Sequence, residues 1–180
     1  MNAFLRLFLF TLVSGLCLIA SAQTPATKPA DPETEALFRQ GEKAYKGGSY
    51  IEAIGLFDQV LARDPEHLNA YLQRGFCHSL QHQYEAAVQD FTAVIQRKSD
   101  HLWAYTSRGS AYNRLGKYDL ALADFEQVLA IDPKNQEAYN NRGWTHKSLG
   151  DLDAACADWK TSKKMGNAEA KIILTNNRCK

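Results

Sequence analysis

Two histidines four residues apart, His78 and His82, are the pair in this 180-residue chain whose spacing could do chemistry. On a helix that spacing puts both rings on one face, as a metal pair requires. No Cys, His or Asp cluster completes a four-ligand set around them. A packing role for His78 and a turn role for His82 therefore outweigh coordination. His67, His101 and His146 stand singly. The 4 cysteines, Cys17, Cys77, Cys156 and Cys179, contain no Cys-x-x-Cys motif, so redox catalysis is not expected of them. The nucleophile elbow, the phosphate-cradling loop and the zinc-protease helix are absent from the sequence. The chain thus reads as a non-enzyme, with no catalytic residue, cofactor, metal or small-molecule substrate.

Charge narrows the partners further. The chain has 21 Lys and Arg against 20 Asp and Glu, without the basic excess that nucleic acid demands. Residues 1–22 place Arg6 before an apolar run, Leu7 to Ala20, that ends in the small residues Ala20-Ser21-Ala22. That pattern reads as a secretory signal peptide cleaved after Ala22. The run is short for a bilayer span, which takes about 20 residues. The expected location is outside the cytoplasm, periplasmic or secreted. The alternative is a membrane-anchored envelope assembly factor, held by a retained signal or by lipid on Cys17, although Leu16 fills the slot where lipoprotein signals carry a small residue. Membrane contact is expected only in that case. Residues 23–33, rich in Pro, Ala and Thr, read as a linker.

Everything after the linker follows a period of 34 residues. Gly41, Gly75, Gly109 and Gly143 recur in that register. So do Ala53, Ala87, Ala121 and Ala155, and the aromatics Phe57, Phe91, Phe125 and Trp159. Within each period apolar residues at helical spacing form two stretches separated by a short turn, so each unit is an antiparallel helical hairpin. A glycine inside a helix costs about 1 kcal/mol relative to Ala. Its recurrence implies close helix approach, expected here against the recurrent Ala. Arg74, Arg108 and Arg142 keep the same period, as do Asp90, Asp124 and Asp158, while Gln40 and Leu56 fill both slots of the first unit. Joint presence and joint absence predict an Arg–Asp pair across each hairpin.

These residues resemble the tetratricopeptide repeat family, whose pattern W-x₂-L-G-x₂-Y…A-x₃-F…P is met in the third unit by Tyr105, Gly109, Tyr112, Ala121, Phe125 and Pro133. The resemblance implies an all-α fold, an α-solenoid of four tetratricopeptide helix-turn-helix repeats at 34–67, 68–101, 102–135 and 136–169. Residues 170–180, with Ile172, Ile173 and Leu174, read as a C-terminal capping helix over the last open face. Cys156 and Cys179 would come to similar height if that segment folds back, making them a disulfide candidate; two buried thiols are the other reading. The block from Ala155 to Cys179 also resembles the endings of exported repeat proteins from Bacteroidetes-like bacteria.

The family resemblance further implies a concave groove lined by the first helix of each unit, acting as a scaffold for a protein or extended peptide. Mapped onto this chain, the inward-facing residues are Phe38, Glu42 and Tyr45, then Gln73 and Phe76, then Trp103, Ser107 and Asn113, and last Asn140, Asn141, Trp144 and Lys147. Ser79 and Ser110 share those faces. Phe76, Trp103 and Trp144 lie outside the consensus packing positions, so exposed rings beside Asn and Ser suit an extended peptide. The family's carboxylate clamp needs Lys, Asn and Arg where this chain has Phe38, Glu42, Gln73, Trp103 and Ser107, and is not expected.

The signal reading makes a direct prediction. The intact mass of the exported protein corresponds to a chain starting at Gln23; a mass that includes residues 1–22, or a lipid on Cys17, overturns it.

Overall fold

The computed structural model describes residues 31–179. The expected signal peptide and residues 23–30 of the expected linker lie outside the described residues. Asp31 opens the first helix: its carboxylate accepts hydrogen bonds from the backbone N–H groups of Glu33 and Thr34, at 3.4 and 3.3 Å. Pro32 follows at the first helical position, where its fixed φ and missing N–H are no handicap. The linker therefore ends at Asp31 and not at residue 33. Pro32 marks a helix start there, not an extended segment.

The described residues form helices and no strand. Four hairpins follow one another: α1 (Pro32–Lys46) with α2 (Tyr50–Arg63), α3 (Leu68–Leu80) with α4 (Tyr84–Arg97), α5 (Leu102–Arg114) with α6 (Tyr118–Ile131), and α7 (Gln136–Ser148) with α8 (Leu152–Lys164). A short α9 (Ala170–Asn176) closes the array. Each second helix also packs on the next first helix, and successive first helices touch one another, which is the geometry of a solenoid. Among the described residues no helix is long and apolar enough to cross a membrane.

The turns repeat as faithfully as the helices. Gly48, Gly116 and Gly150 sit at φ +79°, +70° and +87°. His82 occupies the same slot at φ +59°, and its Nδ1 lies 2.7 Å from the Tyr84 hydroxyl. His78 faces other partners, with Nδ1 2.6 Å from Gln83 Oε1 and Nε2 3.8 Å from Asp90. The two rings are thus engaged separately. The helix starts show a further series: Nδ1 of His67 and of His101, and Oδ1 of Asn135, accept from the N–H of Ala70, Ala104 and Ala138 at 3.1, 3.2 and 2.9 Å. Two of the single histidines are therefore N-caps, a role their imidazole nitrogen fills as an acceptor.

The recurrent glycine faces the aromatic of its own hairpin, not the recurrent alanine. A Cβ on Gly75 would lie 2.7 Å from Phe91 Cε1, and one on Gly143 2.6 Å from Trp159 Nε1. The ring fills the space over the glycine, whereas Ala53, Ala87, Ala121 and Ala155 are wholly buried elsewhere in the interface. Phe57, Phe91, Phe125, Trp159 and the valines Val60, Val94 and Val128 are fully buried at the centre of successive hairpins. At the far end α9 packs on α8, and a disulfide joins Cys156 to Cys179 with their Cα atoms 5.5 Å apart. A loop of that length contributes about 3 kcal/mol on the chain-entropy model. The remaining described cysteine, Cys77, is a free buried thiol whose pKa burial pushes up to about 11, so it is unreactive at neutral pH.

Two glycine substitutions separate packing from propensity. Gly109→Ala places its methyl 2.9 Å from Phe125 Cε1 and 3.2 Å from Asp124 Cβ. It lowers unfolding free energy by about 1–3 kcal/mol in urea titration. Gly55→Ala lies inside α2 with nothing within 4 Å, and raises stability by about 0.5–1 kcal/mol through helix propensity.

Candidate functional site

The face formed by the first helices is held in place by ion pairs behind it. Arg74 donates from Nε and Nη2 to the two carboxylate oxygens of Asp90 at 2.9 and 2.6 Å. Arg108 does the same to Asp124 at 2.9 and 2.7 Å, and Arg142 to Asp158 at 2.8 and 2.8 Å. The paired fork is the strong form of this interaction. Two of the arginines also reach back one hairpin: Arg74 Nη1 to Asp58 at 2.5 Å and Arg108 Nη1 to Thr92 Oγ1 at 3.0 Å. Burial pushes the Asp90 and Asp124 carboxyls up, against the lowering by their arginines. The three guanidiniums are held more firmly charged, above all by the hydrogen bonds to their aspartates.

In front of this wall the expected groove residues divide into groups. Phe76, Trp103 and Ser107 come together around a pocket of about 230 Å³, with Ser79, Ser110, Thr106 and Ala111. Trp103 is 63% exposed, whereas Phe76 is half-buried with its ring 5.4 Å from that of Phe91. Tyr84, Arg114 and Glu137 complete the lining, and sequence reasoning missed all three. Arg114 Nε donates to the Tyr84 hydroxyl at 3.1 Å, and its guanidinium lies 5.4 Å from the centre of that ring. A helical stripe would have found it, because Trp103, Ser107, Ser110 and Arg114 follow the i, i+4, i+7, i+11 spacing of one α5 face.

Other expected residues lie elsewhere. Phe38 is not in the groove: it is 8% exposed, with its ring 5.7 Å from Phe57 and 4.7 Å from His67. A ring in that slot gains more by covering two neighbouring rings than by facing water. Tyr45 is half-buried against the same core and 5.9 Å from Tyr50, and burial lifts the pKa of its hydroxyl. Glu42 is half-buried beside it in sequence on α1.

Asn113 faces the next repeat, where Nδ2 donates to Thr145 Oγ1 at 2.8 Å. Thr145 in turn donates to the carbonyl of Asn141, and Trp159 Nε1 to that of Asn140, at 2.9 and 3.2 Å. The side-chain oxygens of Gln73, Asn113 and Asn140 are shut away from the surface. Asn113 therefore belongs to the contact between repeats, whereas Gln73 and Asn140 are half-buried side chains. Trp144 forms a second exposed ring, 40% accessible, edge-on to Trp159 at 5.1 Å with Lys147 Nζ 5.0 Å from its centre.

Among the described residues no group of three or more His, Cys, Asp or Glu is placed to hold a metal. The arrangement offers apolar rings, hydroxyls and one charge of each sign, Arg114 and Glu137. Such a set offers shape and hydrogen-bonding complementarity on an open surface.

Two family models, each described as tetratricopeptide repeat, match the chain: one over residues 102–135, the other over 56–89 and 125–157. The first match has the bounds of the third unit. Among solved structures, the crystal structure of MamA is 23% identical, covers 77% of this chain and 81% of its own, and has a TM-score of 0.71. MamA 41-end from Desulfovibrio magneticus RS-1 is 21% identical over 76% and 77%, with a TM-score of 0.72. The first TPR of Spaghetti (RPAP3), bound to the HSP90 peptide SRMEEVD, is 27% identical over 67% of this chain and 97% of its own, with a TM-score of 0.63. At those identities the MamA structures bear on the fold alone. No curated protein matches the chain significantly in sequence.

The wall of ion pairs has a measurable consequence. Asp124 is buried and Arg108 largely so, with side chains 6% and 17% exposed. Arg108→Ala strands the carboxylate and lowers stability by about 3–5 kcal/mol, while the double change Arg108→Met/Asp124→Leu loses far less. With its arginine gone, the stranded carboxyl has a folded pKa above its unfolded one. The penalty is full above the folded value and is relieved as pH falls through it, so the gap between Arg108→Ala and wild type narrows on acidification. Thermal melts of the three proteins across the acid range test both statements.

Proposed function

This chain belongs to the tetratricopeptide repeat family, and from that premise we propose that it is an exported, non-catalytic scaffold that binds an extended peptide of a partner protein on its concave face. One observation carries the reading: Trp103, 63% exposed, stands with Phe76 over a pocket ringed by serines, on the face where the first helices line up. A large ring left in water on a rigid scaffold loses free energy that a partner's side chain returns on binding. The hydroxyls of Ser79, Ser107 and Ser110 supply hydrogen bonds to a strand-like backbone, and Arg114 favours a ligand with a carboxylate at that end. The similarity to a TPR domain of RPAP3 solved with a bound peptide supports this mode.

Export rests on the pattern of residues 1–22, with Arg6 before an apolar run that ends in Ala20-Ser21-Ala22. A partner outside the cytoplasm follows from it.

The test is a crosslinking pull-down from the envelope fraction with wild type and with Trp103→Ala/Trp144→Ala. The double variant stays folded, with a melting temperature lowered only by loss of the Trp144–Trp159 contact, but binds its specific partner with a loss of about 2 kcal/mol or more. An unchanged set of crosslinked partners sinks the assignment.

A further inference from the structure

A second cleft lies at the other end of the molecule, between α8 and α9, and its chemistry differs from that of the concave face. Lys160, Lys163 and Lys164 line it from α8, and Lys171, Leu174 and Thr175 from α9, with Cys179 beside them; its volume is about 560 Å³. On each helix the three residues have i, i+3, i+4 spacing, so two faces look at each other across the cleft. The disulfide from Cys156 to Cys179 ties the two helices together beneath it.

Charge here departs from the near balance of the whole chain. Residues 160–179 carry Lys160, Lys163, Lys164, Lys171 and Arg178 against Glu169 alone. Among the described residues no ion pair engages Lys163, Lys164 or Lys171. Helix electrostatics explain only part of this. Lysines in the last turn of α8 complement its C-terminal partial charge, which accounts for Lys163 and Lys164. Lys171 stands in the first turn of α9, where a cation is disfavoured. Lys163, Lys164 and Lys171 bring three ammonium groups onto one cleft, a concentration of positive charge that attracts an anion.

We propose that this cleft is a second binding site, for an acidic peptide segment of a partner protein in which carboxylates flank a bulky apolar side chain. The lysines hold the carboxylates from both walls. Leu174 and the aliphatic lysine stems receive the apolar group. A bilayer surface is flat and cannot enter a cleft between two helices, and a nucleic-acid backbone has no aliphatic group to meet Leu174. The proposal is independent of the concave groove and stands whether or not that groove binds a peptide.

The probe is a fluorescent synthetic peptide, Glu-Glu-Leu-Glu-Glu-Leu-Glu, titrated with the full chain by anisotropy. Saturable 1:1 binding is expected, weakening steeply between about 0.05 and about 0.5 M salt. Lys163→Glu/Lys171→Glu, a change of exposed side chains, weakens it about tenfold or more. Trp103→Ala leaves it unchanged. The same peptide with Gln for every Glu does not bind. No saturable binding overturns the proposal, as does equal binding by the lysine variant or a loss caused by Trp103→Ala. Attachment to phosphatidylglycerol vesicles without binding of the peptide overturns it in favour of a membrane surface.

Discussion

The fold depends on how closely the two helices of a hairpin approach, and one offset sets that distance. Each first helix meets its second at residues 16 apart in sequence. At that offset Gly75 faces Phe91, and in the adjoining position Arg74 grips Asp90. The glycine lets a whole ring lie over the backbone, with no side chain to hold it away. The ring buries enough apolar surface to outweigh the lost helix propensity, since a phenylalanine contributes about 2–3 kcal/mol against about 1 kcal/mol for the glycine. The neighbouring ion pair adds register more than net stability. Two parallel hydrogen bonds fix a fork against a carboxylate, and a slip of one residue would leave both charges buried alone.

The open face of the first helices is a by-product of that arrangement. A first helix such as α5 is covered on one side by its own second helix, α6, and on another by α4 of the preceding hairpin. The stripe left over runs through Trp103, Ser107, Ser110 and Arg114. Because Arg108 reaches both Asp124 and Thr92, the orientation of α5 is tied to both neighbouring second helices at once. Side chains on the open stripe are thus presented from a backbone that is braced from behind. Preorganisation of this kind lowers the ordering cost of binding.

Much of this was legible in the sequence because periodicity is a long-range signal. A residue repeated at one interval in four units reports its environment four times, so the hairpins, the Arg–Asp pairs and the capping segment could be placed without coordinates. The residues that went astray are those whose role depends on which neighbour they reach. The glycine series was assigned to Ala when its partner was the aromatic, since period alone cannot say which of two recurrent residues lies opposite. Phe38 and Asn113 were placed by repeat position, yet an apolar ring folded onto Phe57 and His67, and an amide found Thr145. Pro32 reads as a linker residue from its Pro- and Ala-rich surroundings, whereas Asp31 before it makes it a helix start. His67, His101 and Asn135 carried a readable signal, as they share the 34-residue interval, but two residue types in one series concealed a common capping function.

The first hairpin and the segment after the fourth depart from the repeated pattern in different physical ways. At the start, Gln40 and Leu56 stand where the later hairpins carry arginine and aspartate. The first hairpin instead packs Phe38 against Phe57 and His67, and its ion pair lies at the exposed edge, where Arg63 of α2 meets Glu33 of α1 at 2.6 Å. After the fourth hairpin comes α9, a helix of 7 residues. So short a helix does not hold itself together in water, because nucleation is unfavourable and few hydrogen bonds follow it. Its support comes from Ala170, buried against the array, and from the bond between Cys156 and Cys179. That covalent tie permits a surface a noncovalent cap would tolerate poorly. Lysines from α8 and α9 converge across one cleft, and the repulsion between them acts on two helices that cannot swing apart.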